Sequence, residues 1–388
     1  MYLTKQEERM LDGEYGWANQ VSMKILVRLG DLFGAKRLIP IQSAHLSGVS
    51  YKHLGDAAIE FLNELATQGG KAETLATLNP SSLDQQILPK RYSKERSAKQ
   101  GEIIELYGKM RIQPTLTCTP YYLQTPKAGQ HLAWAESSAV VYANSVLKTW
   151  TNREGAPSAL AAALVGKTPN YGLHQSENRQ PNVQVKLETE PQTETDYGAI
   201  GIHLGKLLKD KIPTIFGLRG SDDELKQLGA AMASSGMTAL FYAEAPSKSE
   251  KLETTSVEAK DVEQVMSSLC TTDQTPDLVF IGCPHCSINE VKKVAQALEG
   301  RKVRKNAELW ICTSRYVKER VKNYVGVIER AGGHVLCDTC VLVTWIKDLG
   351  ADTLMTNSAK TAFYAPTLNE VDVTLKPLNK CLKAVCRN

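Results

Sequence analysis

Long hydrophobic runs are absent from this chain of 388 residues. No apolar stretch approaches the roughly 20 residues that a membrane-spanning helix requires, which predicts no membrane partner. The N-terminal segment, Met1 to Lys5, leads directly into a charged pattern without a basic and then apolar leader. We therefore expect a cytoplasmic protein.

Neither sign of charge predominates in the sequence. The 46 Lys and Arg residues nearly balance the 42 Asp and Glu residues, and the formal net charge of +4 is spread along the chain. Because there is no basic block, nucleic acid is not an expected partner. The slight positive excess would suit a small anionic substrate, although an ordinary solvated surface is the simpler explanation.

The composition excludes disorder and a fibrous architecture, because 42% of the residues are hydrophobic and 23% are charged. A chain of this length is expected to form two or three packed units. The sequence becomes polar between about residues 175 and 195, and we place a domain boundary there. The predicted domains are an N-terminal α/β region, residues 1–195, and a C-terminal doubly wound α/β region, residues 196–388.

Periodicity predicts alternating helices and strands in both halves. In the first half, helical patterns cover residues 5–34, 56–68, 133–147 and 158–165, and strand-like runs cover 37–42 and 72–78. In the second half, strand-like runs cover 212–218, 238–243, 277–281, 308–312, 333–337 and 353–356, with helical patterns at 223–234, 288–298 and 316–331. This alternation predicts an α/β fold with a mostly parallel, doubly wound sheet flanked by helices.

Cysteines recur in the loops that follow the strands of the second half. The chain has nine cysteines, and the loops after successive strands contain Cys283 and Cys286, then Cys312, then Cys337 and Cys340. Ligands bind beyond the carboxyl ends of the strands in such a sheet. Thiolates there, facing helix N-termini, are expected to ligate a soft metal or a cluster.

Three other interpretations of these thiols remain open. A single cysteine is often only a small buried apolar residue. Cys283-Pro-His-Cys286 between a strand and a helix also fits a thiol–disulfide oxidoreductase, although that reading leaves Cys118, Cys337 and Cys340 without roles. The two C-x-x-C pairs could instead bind structural zinc, although they lie farther apart than in compact zinc modules.

Nine short segments resemble one family, the aconitase X group of hydro-lyases. They are residues 14–16, 43–51, 77–80, 118–122, 133–145, 151–155, 282–285, 338–340 and 355–360. The resemblance implies a multi-domain aconitase-like fold. It also implies a 4Fe-4S cluster held by Cys118, Cys283 and Cys340. Three thiolates leave one iron open, and that iron can act as a Lewis acid on a substrate hydroxyl.

Two features depart from the family pattern. Residues 148–150 read Lys-Thr-Trp where the family pattern has Gly-Ala-Arg, and Cys286 and Cys337 are additional thiols. These departures concern the ligand set and leave the family resemblance intact.

The matched segments also carry the polar residues expected at the site. The resemblance implies catalytic roles for Ser43, His45, Glu136 and Lys360, and substrate contacts from Asn79, Ser137, Asn152, Arg153 and Ser358. Arg153 is the best suited of these to bidentate anion binding. A structural histidine and a surface ion pair are the plainer readings of His45 and Arg153.

The resemblance implies a partner as well. Aconitase-like enzymes complete the active site with a swivelling domain, and the stretch after Lys360 is too short to form one. We expect a separate small subunit that supplies this domain and a serine base. The expected reaction removes water from (R)-5-phosphomevalonate to give trans-anhydromevalonate 5-phosphate, a step of the archaeal mevalonate route. The alternative substrate is cis-3-hydroxy-L-proline.

Overall fold

The computed structural model describes residues 1–84, 86–87, 91–243 and 252–387. The helices are α1 Lys5–Leu11, α2 Trp17–Leu32, α3 Tyr51–Thr67, α4 Lys94–Lys109, α5 Ser137–Ser145, α6 Ala156–Val165, α7 Glu194–Leu208, α8 Asp222–Ser235, α9 Ala259–Ser268, α10 Ile288–Ala297, α11 Arg315–Arg320, α12 Lys322–Ala331, α13 Ala359–Leu368 and α14 Leu378–Val385. Among the described residues, no helix combines the length and the apolar character needed to cross a bilayer.

The strands are β1 Leu38–Pro40, β2 Ser43–Leu46, β3 Leu75–Leu78, β4 Leu132–Trp134, β5 Lys167–Pro169, β6 Val183–Leu187, β7 Pro213–Phe216, β8 Thr254–Val257, β9 Leu278–Cys286, β10 Glu308–Thr313, β11 His334–Leu336, β12 Thr353–Thr356 and β13 Asp372–Leu375. The chain forms two compact units. Unit 1 comprises Met1–Leu83 and Tyr92–Gln180, and unit 2 comprises Asp84–Arg91 and Pro181–Asn388.

A small parallel sheet forms the centre of unit 1. Strand β2 lies between β3 and β4 and pairs in parallel with both, so that His45 lies opposite Thr77 and Trp134. Its residues are all buried, as expected for a central strand covered on both faces. Helices α2, α3, α4 and α6 contribute apolar side chains to one core against this sheet. The sheet therefore fixes which residues emerge together at its carboxyl edge.

The alanine-rich helix α6 is buried along its whole length after the first turn. Pro157 occupies the first turn, where the missing amide N–H costs no hydrogen bond. Gly166 ends the helix with φ of 75°, a left-handed conformation that glycine adopts without strain. Small side chains allow α6 to pack closely against β2 and α2.

The main sheet of unit 2 confirms the doubly wound α/β prediction. Its five strands are all parallel and lie in the order β11-β10-β9-β12-β13. The chain winds from β9 outward in one direction through β10 and β11 and then returns to β12 and β13. The winding direction reverses between β9 and β12, and such switch points open a crevice at the carboxyl edge.

Several local predictions differ from the structure. Strands β6, β7 and β8 form a separate three-stranded parallel sheet, and β6 lies in the stretch read as a polar boundary. Residues 238–243 contain only an isolated bridge from Tyr242 to Thr214. The predicted helix 5–34 is divided by Gly13 and Gly16, which have φ of 92° and 89°. The predicted helix 133–147 begins as strand β4, because a short apolar run has no distinct period.

Candidate functional site

Three polar residues predicted for the site meet at the carboxyl edge of the unit 1 sheet. His45 lies near the end of β2, Asn79 directly follows β3, and Glu136 follows β4 and caps α5. His45 Nε2 lies 3.3 Å from Asn79 Oδ1, and Asn79 Nδ2 donates to Glu136 Oε2 at 2.8 Å. Parallel strands that end at one edge thus join residues 34 and 57 positions apart in sequence.

The Glu136 carboxylate sets the direction of each hydrogen bond in the His45–Asn79–Glu136 series. An ionised Glu136 can only accept, so Asn79 must present its NH₂ group to Glu136 and its oxygen to His45. His45 Nε2 is therefore the protonated nitrogen in the neutral ring. Nδ1 then accepts from the Thr77 hydroxyl, which lies 2.8 Å away. One carboxylate thereby fixes the tautomer of a buried imidazole.

Burial keeps the His45 imidazole neutral. Desolvation lowers the pKa of His45 to about 4, although the Glu136 charge, the Asn79 side chain and the Thr117 backbone oppose that shift. Cys118 follows directly after Thr117, whose amide donates to the Leu78 carbonyl at 3.0 Å beside the end of β3. The structure therefore places Cys118 at the same edge as the His45–Asn79–Glu136 series.

The other predicted residues of the unit 1 sheet and helix α5 have narrower roles, and Ser43, at the start of β2, lies at the amino edge. Ser43 lies in β2, and its hydroxyl accepts from the Trp134 indole at 3.1 Å, which holds that ring in place. Ser137 is the first residue of α5 and is half-buried. Glu136 Oε1 accepts from the Ser138 hydroxyl at 2.8 Å. The carboxylate is therefore fixed by side chains from two segments.

Asn152 and Arg153 are adjacent in sequence, but the first side chain is buried and the second is exposed. The Asn152 carboxamide donates to the Tyr171 carbonyl at 3.0 Å and accepts from the Leu173 amide at 2.8 Å. Both ends of that side chain thus bind the turn at residues 171–173, which favours a structural role. Arg153 is exposed, and its backbone bridges to Trp134 at the end of β4.

The pair His131 and His174 in unit 1 adds a pH response. His131 and His174 approach within 3.0 Å through their Nδ1 atoms. Burial, the neighbouring His131 and Arg179 lower the pKa of His174 to about 3, and burial and Arg179 lower that of His131. These neutral rings must gain protons when the chain unfolds in acid.

We expect the free energy of unfolding to fall between pH 6.5 and pH 4. A histidine whose folded pKa is depressed binds its proton mainly in the unfolded state, so stability is lost as pH falls below the unfolded pKa. For His174 the loss is roughly 3 kcal/mol by pH 4, at 1.36 kcal/mol for each pKa unit. Urea unfolding at several pH values should show a flatter slope in His174→Leu. An unchanged slope would contradict the buried neutral state.

The switch point of unit 2 brings two predicted residues together. Cys283 lies near the end of β9, and Ser358 follows β12 and caps α13. The Ser358 hydroxyl donates to the Cys283 carbonyl at 2.5 Å and also accepts from the Thr361 amide. Lys360 lies in the first turn of α13 and is half-buried. The predicted strand ended at residue 281, with Cys283 in the loop after it, but β9 continues through a bulge to Cys286, so that Cys283 lies within the strand. Ser358 lies after its strand, as expected.

Strand β9 contains a bulge at the segment that carries Cys283. Ile281 pairs with Ile311 and Cys286 with Thr313, so residues 282–285 bulge opposite the single residue Cys312. A Cβ on Gly282, whose φ is 119°, would lie 2.3 Å from the Cys312 carbonyl oxygen. Only glycine allows the strands to approach this closely before the loop diverges.

The second cysteine-containing loop lies against the first. His285 Nε2 is 2.8 Å from the Thr339 carbonyl oxygen, which joins the loop of Cys283 to the residue before Cys340. Asp338 adopts a left-handed conformation with φ of 65° and forms a bidentate ion pair with Arg315. This pair holds the Cys340 loop from the opposite side.

Exposure separates the six cysteines of the matched segments and strand ends into two groups. Cys118, Cys283 and Cys340 retain 7%, 4% and 7% of their accessible surface, whereas Cys286, Cys312 and Cys337 retain 1% or less. Burial raises the pKa of Cys337 to about 12. The three cysteines implied by the family resemblance are thus the more accessible ones at the two sheet edges.

The competing thiol chemistries find less support in the geometry. Cys283 and Cys286 both lie within β9, and α10 begins only after Ser287, its N-cap. A redox-active thiolate of the thioredoxin type lies at the helix N-terminus itself. Within the described ranges, no three His, Cys, Asp or Glu side chains gather around one point as ligands of a single ion. A four-thiolate zinc site would require such a gathering.

Sequence reasoning missed the residues that support the site. Thr77 orients His45, and Asp84 accepts from the Cys337 amide at 2.7 Å. Lys226 on α8 is fully buried and pairs with Glu290. The position of Thr77 beside His45 could have been predicted if the register of β2 and β3 had been known. The pair of Lys226 and Glu290 joins positions that share no local sequence pattern.

Comparison with known proteins matches almost the entire chain to one family. The aconitase X first domain matches residues 1–177, the second domain residues 181–267 and the third domain residues 276–387. This confirms the resemblance read from the nine sequence segments.

Full-length relatives agree. The phosphomevalonate dehydratase large subunit of Methanocaldococcus jannaschii is 44% identical, with 99% of this chain and 100% of the relative covered. A cis-3-hydroxy-L-proline dehydratase of Hypocrea jecorina is 32% identical, with 99% and 68% covered. The holo-form crystal structure of Thermococcus kodakaraensis aconitase X has a TM-score of 0.93 at 44% identity and covers 99% of this chain and 100% of that one. The chain therefore belongs to the aconitase X family.

Proposed function

We propose that this chain is the large subunit of a phosphomevalonate dehydratase, a hydro-lyase that removes water from (R)-5-phosphomevalonate to give trans-anhydromevalonate 5-phosphate. The observation that carries the proposal is end-to-end similarity. The archaeal relative with this name is 44% identical and is covered over its whole length. Function depends on particular site residues and not on the fold alone. An end-to-end sequence match includes the segments that carry those residues, so it is stronger support than a shared fold.

Dehydration of cis-3-hydroxy-L-proline is the second candidate. The relative with that name is 32% identical, and this chain spans 68% of it. Its lower identity and greater length favour the phosphorylated substrate. Both reactions remove a hydroxyl and a proton from neighbouring carbons, so the same residues could serve either one.

The family resemblance supports a 4Fe-4S cluster with Cys118, Cys283 and Cys340 as its proposed ligands. The loops of Cys283 and Cys340 are adjacent, and all three thiols lie at carboxyl edges of parallel strands with 4–7% of their surface accessible. The thiolates of a cubane bind different irons, so they need not converge like the ligands of one ion. When bound, such a cluster supplies one open iron as a Lewis acid toward the substrate hydroxyl.

The polar residues at the carboxyl edge of the unit 1 sheet would orient the substrate and transfer protons. Glu136 is held by Asn79 and Ser138 and could carry the proton that the departing hydroxyl needs, whereas the substrate proton goes to the serine base of the small subunit. Neutral His45 keeps Asn79 turned toward Glu136 without adding a charge. Exposed Arg153 offers a planar fork for the substrate phosphate or carboxylate.

Lys360 supplies a second positive charge, in the first turn of α13. Ser358 holds the start of that helix to the Cys283 loop through its bond to the Cys283 carbonyl. Anion binding at a helix N-terminus is favoured by the helix dipole. Ser358 and Lys360 would thus align a substrate carboxylate beside the segment that contains Cys283.

A small subunit completes the proposed enzyme. The archaeal relative is named a large subunit, which implies a smaller partner. We assign to that partner the swivelling domain and a serine base that removes the substrate proton. The chain described here would then supply the cluster ligands and the anion-binding side chains.

The substrate assignment is tested with the two-subunit enzyme. The chain is co-expressed with its small subunit, reconstituted anaerobically with iron and sulfide, and supplied separately with (R)-5-phosphomevalonate and cis-3-hydroxy-L-proline. We expect turnover of the first only. The large subunit alone and an air-oxidised sample serve as inactive controls. Turnover of hydroxyproline alone would replace the proposed substrate.

Glu136→Gln tests the proton-handling role. The amide preserves shape and a hydrogen bond to Asn79 but cannot accept a proton, so kcat should fall about 10²–10⁴-fold, the usual size of acid–base catalysis. Bound iron should remain unchanged. Glu154→Gln is the matched control, because Glu154 is buried against Ser158 and Thr168 in the same unit. Equal losses in both variants would assign Glu136 a structural role.

A further inference from the structure

A cavity of about 710 Å³ in unit 2 is lined almost entirely by positive side chains. Its lining residues are Gly300, Arg301, Lys302, Lys383, Cys386 and Arg387. Four of these six residues carry a positive charge, and none carries a negative one. Such clustering raises the energy of the folded chain through repulsion unless an anion neutralises it.

A fifth cation, Arg304, does not line the cavity but lies near Cys386, which does. Arg301 and Arg304 both act on the Cys386 thiol and favour its thiolate, although burial raises the pKa of Cys386 overall. The Nε and one terminal nitrogen of Arg304 are buried and have no hydrogen-bond partner among the described residues. Buried guanidinium donors are rarely left unsatisfied, and a missing anion is one explanation of such a group.

The cations are not neutralised by neighbouring carboxylates. Across the described ranges, none of Arg301, Lys302, Arg304, Lys383 and Arg387 forms an ion pair. Among these five side chains, the Lys302 ammonium is the one with a hydrogen-bond acceptor in the described part of the chain, the Arg330 carbonyl at 2.6 Å. Ordinary surface lysines and arginines usually have acidic neighbours in a chain with nearly balanced charge.

The backbone holds the cluster in a fixed arrangement. Val303 and Cys386 form an antiparallel bridge. The Arg304 amide donates to the Val385 carbonyl at 2.9 Å, and the Arg387 amide donates to the Lys302 carbonyl at 2.8 Å. Two segments that are about eighty residues apart in sequence therefore present their cations on a common frame.

This cavity is separate from the cysteine-containing edge of the sheet. Helix α10 starts after the carboxyl end of β9 and returns toward the start of β10, so its C-terminal end lies at the amino edge. Helix α14 returns in the same way after β13. The residues of the cavity follow α10 or end α14, whereas Cys283 and Cys340 lie at the opposite, carboxyl edge.

We propose that this cavity is a binding site for a compact, multiply charged phosphate ester or diphosphate, distinct from the site of dehydration. Guanidinium groups bind phosphate oxygens in bidentate pairs. The cavity lies within the range of about 300–1,000 Å³ typical of small-molecule sites. It has no aromatic lining residue on which a nucleobase could stack, so the charged group itself must supply the recognition.

The site is tested by calorimetric titration of the complete two-subunit protein with inorganic diphosphate at constant ionic strength. Orthophosphate and sulfate serve as comparison anions. We expect one diphosphate site per large subunit and weaker binding of both comparison anions. In Arg301→Ala/Arg387→Ala, and separately in Arg304→Met, the diphosphate Kd should rise at least about tenfold, equivalent to 1.4 kcal/mol.

Lys322→Ala is the matched control. It removes one positive charge from unit 2, but Lys322 pairs with Glu319 on an exposed helical surface, so the diphosphate Kd should stay unchanged. An unchanged Kd in the cavity variants would place the anion elsewhere and overturn the proposal. Loss of small-subunit association in those variants, with no diphosphate binding by the unaltered protein, would show a protein-docking surface instead.

Discussion

Single replacement of Cys118, Cys283 or Cys340 by Ser should reduce turnover of the reconstituted two-subunit enzyme by roughly 10³-fold or more. The expected size follows from the several kcal/mol that a metal Lewis acid contributes to the transition state, at 1.36 kcal/mol for each factor of ten. The measurements are bound iron and sulfide after anaerobic reconstitution and turnover of (R)-5-phosphomevalonate. Both should fall together in all three variants.

The matched controls are Cys286→Ser, Cys312→Ser and Cys337→Ser. These thiols retain 1% or less of their accessible surface, and the pKa of Cys337 is raised to about 12 by burial. We expect these variants to retain their iron, with at most a modest loss of stability from a buried hydroxyl. Full iron content in a Cys118, Cys283 or Cys340 variant would remove that residue from the ligand set.

Lys226→Met should lower the free energy of unfolding by about 3–5 kcal/mol, the usual consequence of removing one partner from a buried ion pair. The Lys226 ammonium is fully buried between Asp223, 3.5 Å away, and Glu290, which it contacts more closely. Methionine matches the length of the side chain but removes the buried cation that contacts both carboxylates. Urea unfolding at constant pH measures the loss.

The same variant should loosen the loop of Cys283. Lys226 also donates to the His285 carbonyl at 3.3 Å, and Ser287 is fixed by Asp223 and Glu290 at 2.9 and 2.8 Å. The triple variant Asp223→Asn/Lys226→Met/Glu290→Gln removes all three charges and should recover much of the stability. Failure of the triple variant to recover any would show that packing, not charge, causes the loss.

The destabilisation by Lys226→Met should also depend on pH. Burial and the Asp223 charge raise the pKa of Glu290 above its ordinary value, and Lys226 opposes that rise. Without the lysine, the pKa rises further and the folded state binds the proton more tightly than the unfolded state. Stability is then lost as pH rises through that interval. The difference between the variant and the unaltered protein should therefore be larger at pH 8 than at pH 5.

The doubly wound sheet could be predicted because each of its strands is a short apolar run followed by a helical pattern. The expected strand at 353–356 coincides with β12, and the expected helix 288–298 extends one residue beyond α10. Parallel order then implies that Cys283 and Ser358 meet at one edge, since Cys283 lies toward the end of β9 and Ser358 follows the neighbouring strand β12. Local periodicity combined with the rules of sheet winding was sufficient for that part of the site.

Other features could not be read from the sequence for physical reasons. Strand β6 carries polar residues on one face, since it belongs to a small sheet with exposed positions, and it was taken for a boundary. The His45–Asn79–Glu136 series requires the register of β2, β3 and β4, which joins segments far apart in sequence. Buried ion pairs such as Lys226 with Glu290 leave no periodic signal, because their partners lie on different helices.

The most direct measurement of the proposed function is product analysis with the anaerobically reconstituted two-subunit enzyme and (R)-5-phosphomevalonate. NMR and mass spectrometry should show the loss of one water and a new double bond, with the phosphate retained. No product should form with Cys283→Ser, and normal product should form with Cys286→Ser. Unreacted phosphomevalonate alongside efficient conversion of cis-3-hydroxy-L-proline by the same iron-loaded preparation would contradict the proposed substrate.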